Sequence, residues 1–385
     1  MVELPAALSA AAWIYLALGH GRFWRTKLLL LSAPSENVTG RRVAVVIPAR
    51  DEAATIGQAV RSLASQDWAG SLDIYLVDDA SSDGTGALAA EAGAHVVEAR
   101  PLPPGWTGKL WALQQGVERA ASSHPDYFLF TDADIVHASD SVRSLVARAE
   151  AGGIDLVSVM VRLNCESLAE RLLVPAFVFF FFMLYPPRWI EQRERSTAGA
   201  AGGCILIRPE ALSRAGGIEA IRSELIDDCS LASAVKRSGG SLWLGMSEGT
   251  RSIRLYPAFA DMRRMISRTA FTQLRYSSFL LAGTVAGMAL LYLLPVAAVM
   301  RGSWFGVLGW ALMAALFAPI ARFYRQPVFA GVLLPGIALF YLYATVESAV
   351  RYWMGTGGAW KGRNQAEAQR LPVVSRENPG RSRIP

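Results

Sequence analysis

The stretch YFLFTDADIV, residues 127–136, decides how this chain reads. Tyr127–Thr131 is an apolar, aromatic run of strand length, and directly after it stand two carboxylates one residue apart, Asp132 and Asp134. Upstream, Val43–Ile47 (VAVVI) is a β-branched run ending at Pro48, which predicts a buried strand. Within Ala53–Gln66 the apolar positions Ile56, Ala59, Val60 and Leu63 keep helical spacing. Asp73–Val77 reads as a second strand, Thr85–Ala92 as a helix, His95–Ala99 as a third strand and Lys109–Ala121 as another helix. Strands alternating with helices predict an α/β, Rossmann-like domain with a mostly parallel sheet and right-handed crossovers. Ligands of such sheets bind beyond the carboxyl ends of the strands.

Three acidic loops fall at those ends: ARDEA (49–53), DDASSDGT (78–85) and DAD (132–134). The chain carries a formal net charge of +6, so this clustering runs against its composition. Hard divalent cations take oxygen ligands and are held by one or two carboxylates together with substrate phosphates. Asp132 and Asp134 would project to one side if the strand persisted through them. An isolated D-x-D also reads as a solvated turn, but the buried strand before it and the two acidic loops beside it favour a ligand. Asp83 and Ser82 read as helix-capping groups. Asp51 and Glu52 read equally as caps or ligands, and Asp79 as an acceptor for a base or ribose. Lys109 opens a helix, where the macrodipole disfavours a cation unless an anion is near. It reads either as a phosphate contact or as a snorkelling surface lysine.

Of the 385 residues, 52% are hydrophobic, and the excess is concentrated. Leu4–Gly19 is apolar and is followed by Arg22, Arg25 and Lys27, which reads as an N-terminal membrane anchor within residues 1–31, with a signal peptide as the rival. Ser277–Met300, Ser303–Ala321 and Val328–Val350 have the length of transmembrane helices, placing them over 277–350. Between these ends lies one α/β domain, 41–275, and beyond them a basic tail, 361–385, of disordered composition. Leu172–Pro187 (LLVPAFVFFFFMLYPP) interrupts that domain. A single crossing there would put Asp134 and Asp228 on opposite sides of a bilayer, so it reads as an interfacial or re-entrant helix with its aromatic face toward lipid, or as a buried core helix. The arginines at 251, 254, 263, 264, 268 and 275 read mostly as a basic juxtamembrane face. Cys165, Cys204 and Cys229 have no metal-ligand spacing and are too few for a disulfide framework.

The ordered set of motifs resembles the family 2 glycosyltransferases of GT-A fold. IPARDEA stands where that family opens with IPxxNE, Asp51 replacing the asparagine. VDDASSDGT resembles its nucleotide-binding loop, GKLWAL its basic third element and TDAD its DxD. GGCILIRPEAL (202–212) is similar to its acceptor-side segment, and LIDDCSL (225–231) to its ED motif, with Asp227 in place of Glu. The resemblance implies that Pro48, Asp51, Glu52 and Asp79 contact a nucleotide, that Lys109 lies by the base or diphosphate, and that Asp132 reaches the ribose or a metal-bound water. It further implies that Asp134, with Asp132, holds a divalent metal (Mg2+ or Mn2+), that Gly202 and Gly203 face the acceptor, and that Asp228, beside Asp227, is the general base. Arg268 in MISRT (265–269) matches the family's QxxRW only in part, and is reserved for the diphosphate. The whole layout is also similar to the hopene-associated glycosyltransferases and, more distantly, to ceramide glucosyltransferases. What the resemblance implies is an inverting, hexosyltransferase-type enzyme of the inner (cytoplasmic) membrane. It would be multi-pass with a cytoplasmic catalytic domain, moving sugar from a UDP-sugar or other nucleotide-sugar donor to a lipid acceptor of hopanoid type, with no nucleic-acid partner. Polysaccharide synthesis and a non-catalytic nucleotide-sugar or lipid-binding membrane scaffold are the alternatives.

Overall fold

The computed structural model describes residues 3–31 and 40–356, and the backbone of 359–360 and 363–364. Apart from that last pair, the basic tail expected over 361–385 lies outside the described residues. The chain begins with helix α1 (Glu3–Leu18) and enters the sheet at β1 (Arg42–Ala49). There follow α2 (Ile56–Ala64), β2 (Ser71–Asp78), α3 (Thr85–Glu91), β3 (His95–Glu98), α4 (Gly108–Ala120) and β4 (Tyr127–Thr131). Next come β5 (Ile135–Val136), α5 (Ser141–Gly152), β6 (Leu156–Arg162), α6 (Leu168–Leu184), α7 (Pro187–Glu191) and β7 (Cys204–Ile207). The domain closes with α8 (Pro209–Arg214), α9 (Asp227–Arg237), β8 (Leu242–Ser252) and α10 (Phe259–Gln273). The C-terminal helices are α11 (Ser278–Met288), α12 (Leu294–Val299), α13 (Trp304–Phe323) and α14 (Leu334–Trp353).

The strands form one eight-stranded sheet in the order β3-β2-β1-β4-β7-β6-β8-β5. From β3 to β4 every pairing is parallel, as the β/α alternation requires. Beyond β4 the sheet is mixed: β7 runs antiparallel to β4 and β6, β6 is parallel to β8, and β5 is antiparallel to β8. The cause is the excursion through α6 and α7, which returns the chain to the sheet from the opposite end. That reversal pairs Thr131 with Cys204, so Gly202 and Gly203 abut the end of β4 where the DAD segment begins.

Period-two alternation in β1 divides the apolar side chains between two faces. Val43, Val45 and Ile47 join Ile56, Val60, Leu63, Val142 and Leu145 under α2 and α5. Ala44 and Val46 join the other core, under α4, which is continuous with the helices at the chain's ends. There α4 approaches the sheet so closely that a Cβ on Gly116 would stand 2.2 Å from Val46 Cγ1 and 3.0 Å from Val77 Cγ2.

Among the described residues, four helices are long and apolar enough to cross a membrane: Leu168–Glu191, Ser278–Val299, Trp304–Phe323 and Val328–Trp353. The first C-terminal one contains a π-turn over Ala289–Leu293, just before Pro295. Proline has no N–H for the carbonyl four residues back, and that carbonyl, of Leu291, instead accepts the Trp13 indole N–H at 2.9 Å. Trp13 also packs edge-on against Tyr292, and Ser303 Oγ donates to Glu3 at 2.9 Å, so α1 is bound into the helical group. At 16 residues it is shorter than those four.

The phenylalanine-rich helix α6 packs in part against this chain: buried Phe179 meets Phe23 and Phe317, and half-buried Phe180 meets Tyr292 and Tyr341. Tyr341 also donates to Leu173 O at 2.8 Å. The two flanks of α6 do not diverge, because Lys109 Nζ lies 2.9 Å from Asp132, before α6, and 2.9 Å from Asp227, after it.

Substitution of Gly116 by alanine is expected to lower the melting temperature of the detergent-solubilised protein, by about 1–3 kcal/mol of overpacking. Gly283, whose added Cβ meets nothing within 4 Å, is the control and should tolerate alanine without loss.

Candidate functional site

The first two acidic loops are clasped to each other. Asp51 and Ala80 both adopt left-handed backbone, at φ 50° and 54°. Asp51 Oδ1 accepts from Ser82 N at 2.8 Å, Asp51 N donates to Ser81 Oγ at 3.0 Å, and Glu52 N donates to Thr85 Oγ1 at 2.8 Å. Asp83, expected as a capping group, accepts from Thr85 N and from Ala53 N. Asp79 is buried, and Arg50 reaches it with Nη1, 2.7 Å from the carbonyl oxygen and 3.6 Å from Oδ2.

Strand β4 stops at Thr131, so the premise that Asp132 and Asp134 share a strand face is not met. Their carboxylates take separate cations. Asp132 Oδ1 lies 2.9 Å from Lys109 Nζ, and Asp134 Oδ2 lies 2.9 Å from Arg254 Nε. Behind them, buried His137 hydrogen-bonds Thr131 Oγ1 through Nε2 at 3.0 Å, while that hydroxyl donates to Gly203 O. Burial pushes His137 down to about 4, so this support is neutral.

Lys109 starts α4, behind the cap Thr107. Its ammonium is not a snorkelling surface group: it bridges Asp132 and Asp227. Burial would depress its pKa, but the two carboxylates outweigh that and hold it charged. Next to Asp227, Asp228 Oδ2 accepts from Gly202 N at 2.8 Å and Oδ1 from Cys229 N at 2.7 Å. Desolvation first, then the Asp227 charge, push Asp228 up to about 7, against the downward pull of Lys109 and the two N–H donors. Pro48, Lys109, Asp132, Gly202, Asp227 and Asp228 line one cleft.

Residues 44–216 match the family described as Glycosyl transferase family 2. That match spans a little under half of the chain. Among curated relatives it is 29% identical over 160 residues to a 4,4'-diaponeurosporenoate glycosyltransferase of Staphylococcus haemolyticus, covering 40% of this chain and 41% of that one. It is 31% identical over 125 residues to the protein of that name in Staphylococcus aureus, covering 32% of each. The chain thus spans less than half the length of these relatives. A mannosyltransferase of Pyrobaculum calidifontis, solved with GDP-Man and Mn2+, superposes with a TM-score of 0.49 at 18% identity, over 92% of this chain and 99% of that one.

The expected site residues sort by position. Glu52 joins the DxD through Arg254, whose Nη2 lies 2.7 Å from Glu52 Oε1. Asp51 serves the clasp between loops. Gly203 faces the core, its added Cβ 3.2 Å from Val161, whereas one on Gly202 would meet Asp228 Oδ2 at 3.2 Å and Lys109 Nζ at 3.6 Å. Arg268 is exposed on α10, and with Arg254 it opposes the upward push of burial on Tyr256. Arg50 and Arg254 are participants that the motif reading does not single out. Arg50 sits inside ARDEA, so its place was signalled, whereas Arg254 is one arginine among several in its segment. Among the described residues no three or more His, Cys, Asp or Glu side chains gather as a metal cage. The donor set still fits a divalent ion, since two carboxylates with a diphosphate suffice, and Glu52, Asp79, Asp132, Asp134, Asp227 and Asp228 outnumber the cations bonded to them.

Replacing Lys109 by methionine leaves Asp132 and Asp227 facing each other unpaired, and a loss of about 1–3 kcal/mol is expected, discounted for their partial exposure. Burial, before the neighbouring acids, already holds Asp132 above the ordinary carboxylate range. Asp132 becomes neutral as pH falls, so the gap between the melting curves of wild type and variant should narrow as pH is lowered from neutrality.

Proposed function

We propose that this chain is a membrane-bound, inverting glycosyltransferase that moves a hexosyl group from a nucleotide-sugar, of UDP type, to the hydroxyl of a lipid acceptor. The observation that carries this reading is the single ammonium of Lys109 joining the DxD to the ED pair, 2.9 Å from Asp132 and 2.9 Å from Asp227. It brings the donor-side acid and the acceptor-side acid to one cleft.

Pro48, Asp51, Glu52 and Asp79 would line the nucleotide, and Arg268 would meet its diphosphate. Asp134 with Asp132 would hold Mg2+ or Mn2+. Such an ion, when bound, supplies Lewis-acid stabilisation of the departing diphosphate. Asp228 accepts the proton of the acceptor hydroxyl as its oxygen attacks the anomeric carbon. The new C–O bond forms as the bond to the diphosphate oxygen breaks, and the nucleoside diphosphate leaves with the electron pair. One in-line displacement inverts the anomeric centre. Gly202 N, donating to Asp228, keeps that carboxylate aimed into the cleft. Lys109 takes up the charge of Asp227, leaving Asp228 as the carboxylate of the pair without a direct cation contact.

The lipid acceptor is supported by the four helices long and apolar enough to cross a membrane, and by relatives named for glycosylating diaponeurosporenoate. A polycyclic, hopanoid-type lipid is the specific acceptor proposed. Placement in the inner membrane with the catalytic domain cytoplasmic is supported by the arginines from 251 to 275 beside the C-terminal helices.

Membranes incubated with labelled nucleotide-sugars should yield label extractable into organic solvent; label confined to an aqueous polymer would overturn the lipid acceptor. Asp228→Asn should keep donor affinity while kcat falls about 10²–10⁴-fold, the usual worth of a general base. Because a base works only when ionised, kcat/KM should rise with pH through about 7 and plateau above it. Lys109 pulls Asp228 down, so in Lys109→Met the same limb should move to higher pH.

A further inference from the structure

Arg254 is placed to govern metal binding. It follows the end of β8, and its fork is shared between two acids from separate loops. Nε lies 2.9 Å from Asp134 Oδ2 and Nη2 lies 2.7 Å from Glu52 Oε1. The backbone holds this arrangement: Ile253 N donates to Asp134 O at 2.9 Å, and Arg254 N donates to Ser252 Oγ at 3.2 Å. That same hydroxyl donates to Asp134 Oδ2 at 3.0 Å. The carboxylate oxygen of the second DxD acid is therefore engaged by a hydroxyl and a guanidinium before any ligand arrives.

A small divalent ion binds carboxylate oxygen at about 2.0–2.2 Å, inside the distance at which Arg254 now sits. Two cations on one carboxylate oxygen repel, so ion and guanidinium compete for Asp134. A diphosphate changes the balance. Its oxygens accept the planar fork of arginine as well as carboxylates do, which gives Arg254 a second partner while the phosphates complete the shell of the ion. Arg254 is partly exposed, whereas Asp134 is buried, so the arginine is the partner free to turn outward.

We propose that Arg254 is a positioning residue that makes metal binding conditional on the donor. Without nucleotide it occupies Asp134 and Glu52 and keeps a divalent ion weakly bound; with the diphosphate present it transfers to phosphate oxygen and releases Asp134 to the ion. This rests on the reading that the DxD holds a divalent ion with a nucleotide-sugar. Coupling of this kind is reciprocal, so the factor by which UDP tightens Mn2+ is the factor by which Mn2+ tightens UDP.

The test is Mn2+ titration of the full-length protein in detergent, followed by the loss of the free-Mn2+ electron paramagnetic resonance signal, with and without UDP. For the wild type, UDP is expected to tighten Mn2+ about tenfold or more. In Arg254→Gln, Mn2+ alone should bind about tenfold tighter than in the wild type, and the gain from UDP should shrink toward unity. Arg254→Lys, whose point charge reaches one acid at a time, should fall between; it decides the matter if the glutamine variant does not fold. Equal Mn2+ affinity of wild type and both variants without UDP, or an undiminished UDP effect in them, overturns the role of Arg254 and leaves the metal reading standing. A wild type that binds no Mn2+ even with UDP overturns both.

Discussion

Lys109 sits between two carboxylates that belong to distant parts of the chain, and the rest of the site depends on its charge. Asp132 directly follows β4, and Asp227 begins α9. Two such acids a few ångströms apart repel by about 1–4 kcal/mol, depending on how much water screens them. An ammonium between them turns that repulsion into attraction. The position of the ammonium is itself set by packing: α4 is drawn onto β1 and β2 at Gly116, with no room for a side chain. The helix N-terminus alone would disfavour the cation, and the two acids reverse the sign.

The same alternation of charge continues along the edge of the sheet. Arg254 joins Asp134 to Glu52, and Arg50 reaches Asp79. Each acidic loop is thereby tied to its neighbour through a cation and not held off by it. Asp228 is the exception, held by backbone N–H groups from Gly202 and Cys229, and its pKa rises to about 7. A carboxylate in that state suits proton transfer near neutrality. Its geometry exists only because β7 runs antiparallel to β4, which brings the glycine pair alongside the DxD.

Helix α10 connects this edge to the C-terminal helices. Gln273, at its end, donates to the Tyr185 hydroxyl after α6. Along its length Arg263 pairs with Glu347 on α14 at 3.5 Å, and Phe271 N donates to Ser348 Oγ at 3.0 Å. The arginines of this segment consequently divide, most of them exposed and two engaged with other elements. Arg263 fastens a helix, Arg254 enters the site, and Arg268 stays exposed. Identical side chains in one stretch meet different fates because helix and strand turn them in different directions.

The sequence by itself determined the first half of the sheet, the acidic loops at its edge and the three apolar C-terminal segments. Those features are local: period-two and helical spacing, β-branched runs, and the length of apolar stretches act over a few residues at a time. It also placed Asp132, Asp227, Asp228 and Lys109 in motifs whose order along the chain resembles that of one family. Only the tertiary structure decided that Lys109 serves two acids, that Asp132 and Asp134 part company after Thr131, and that Arg254 reaches Asp134 from the far end of β8. It likewise decided that Phe179 of α6 packs on α13 and Phe23, and Phe180 on α14. Strand direction, ion-pair partners and the covering of an apolar face all arise between elements far apart in the chain, where spacing along the sequence carries no distance in space.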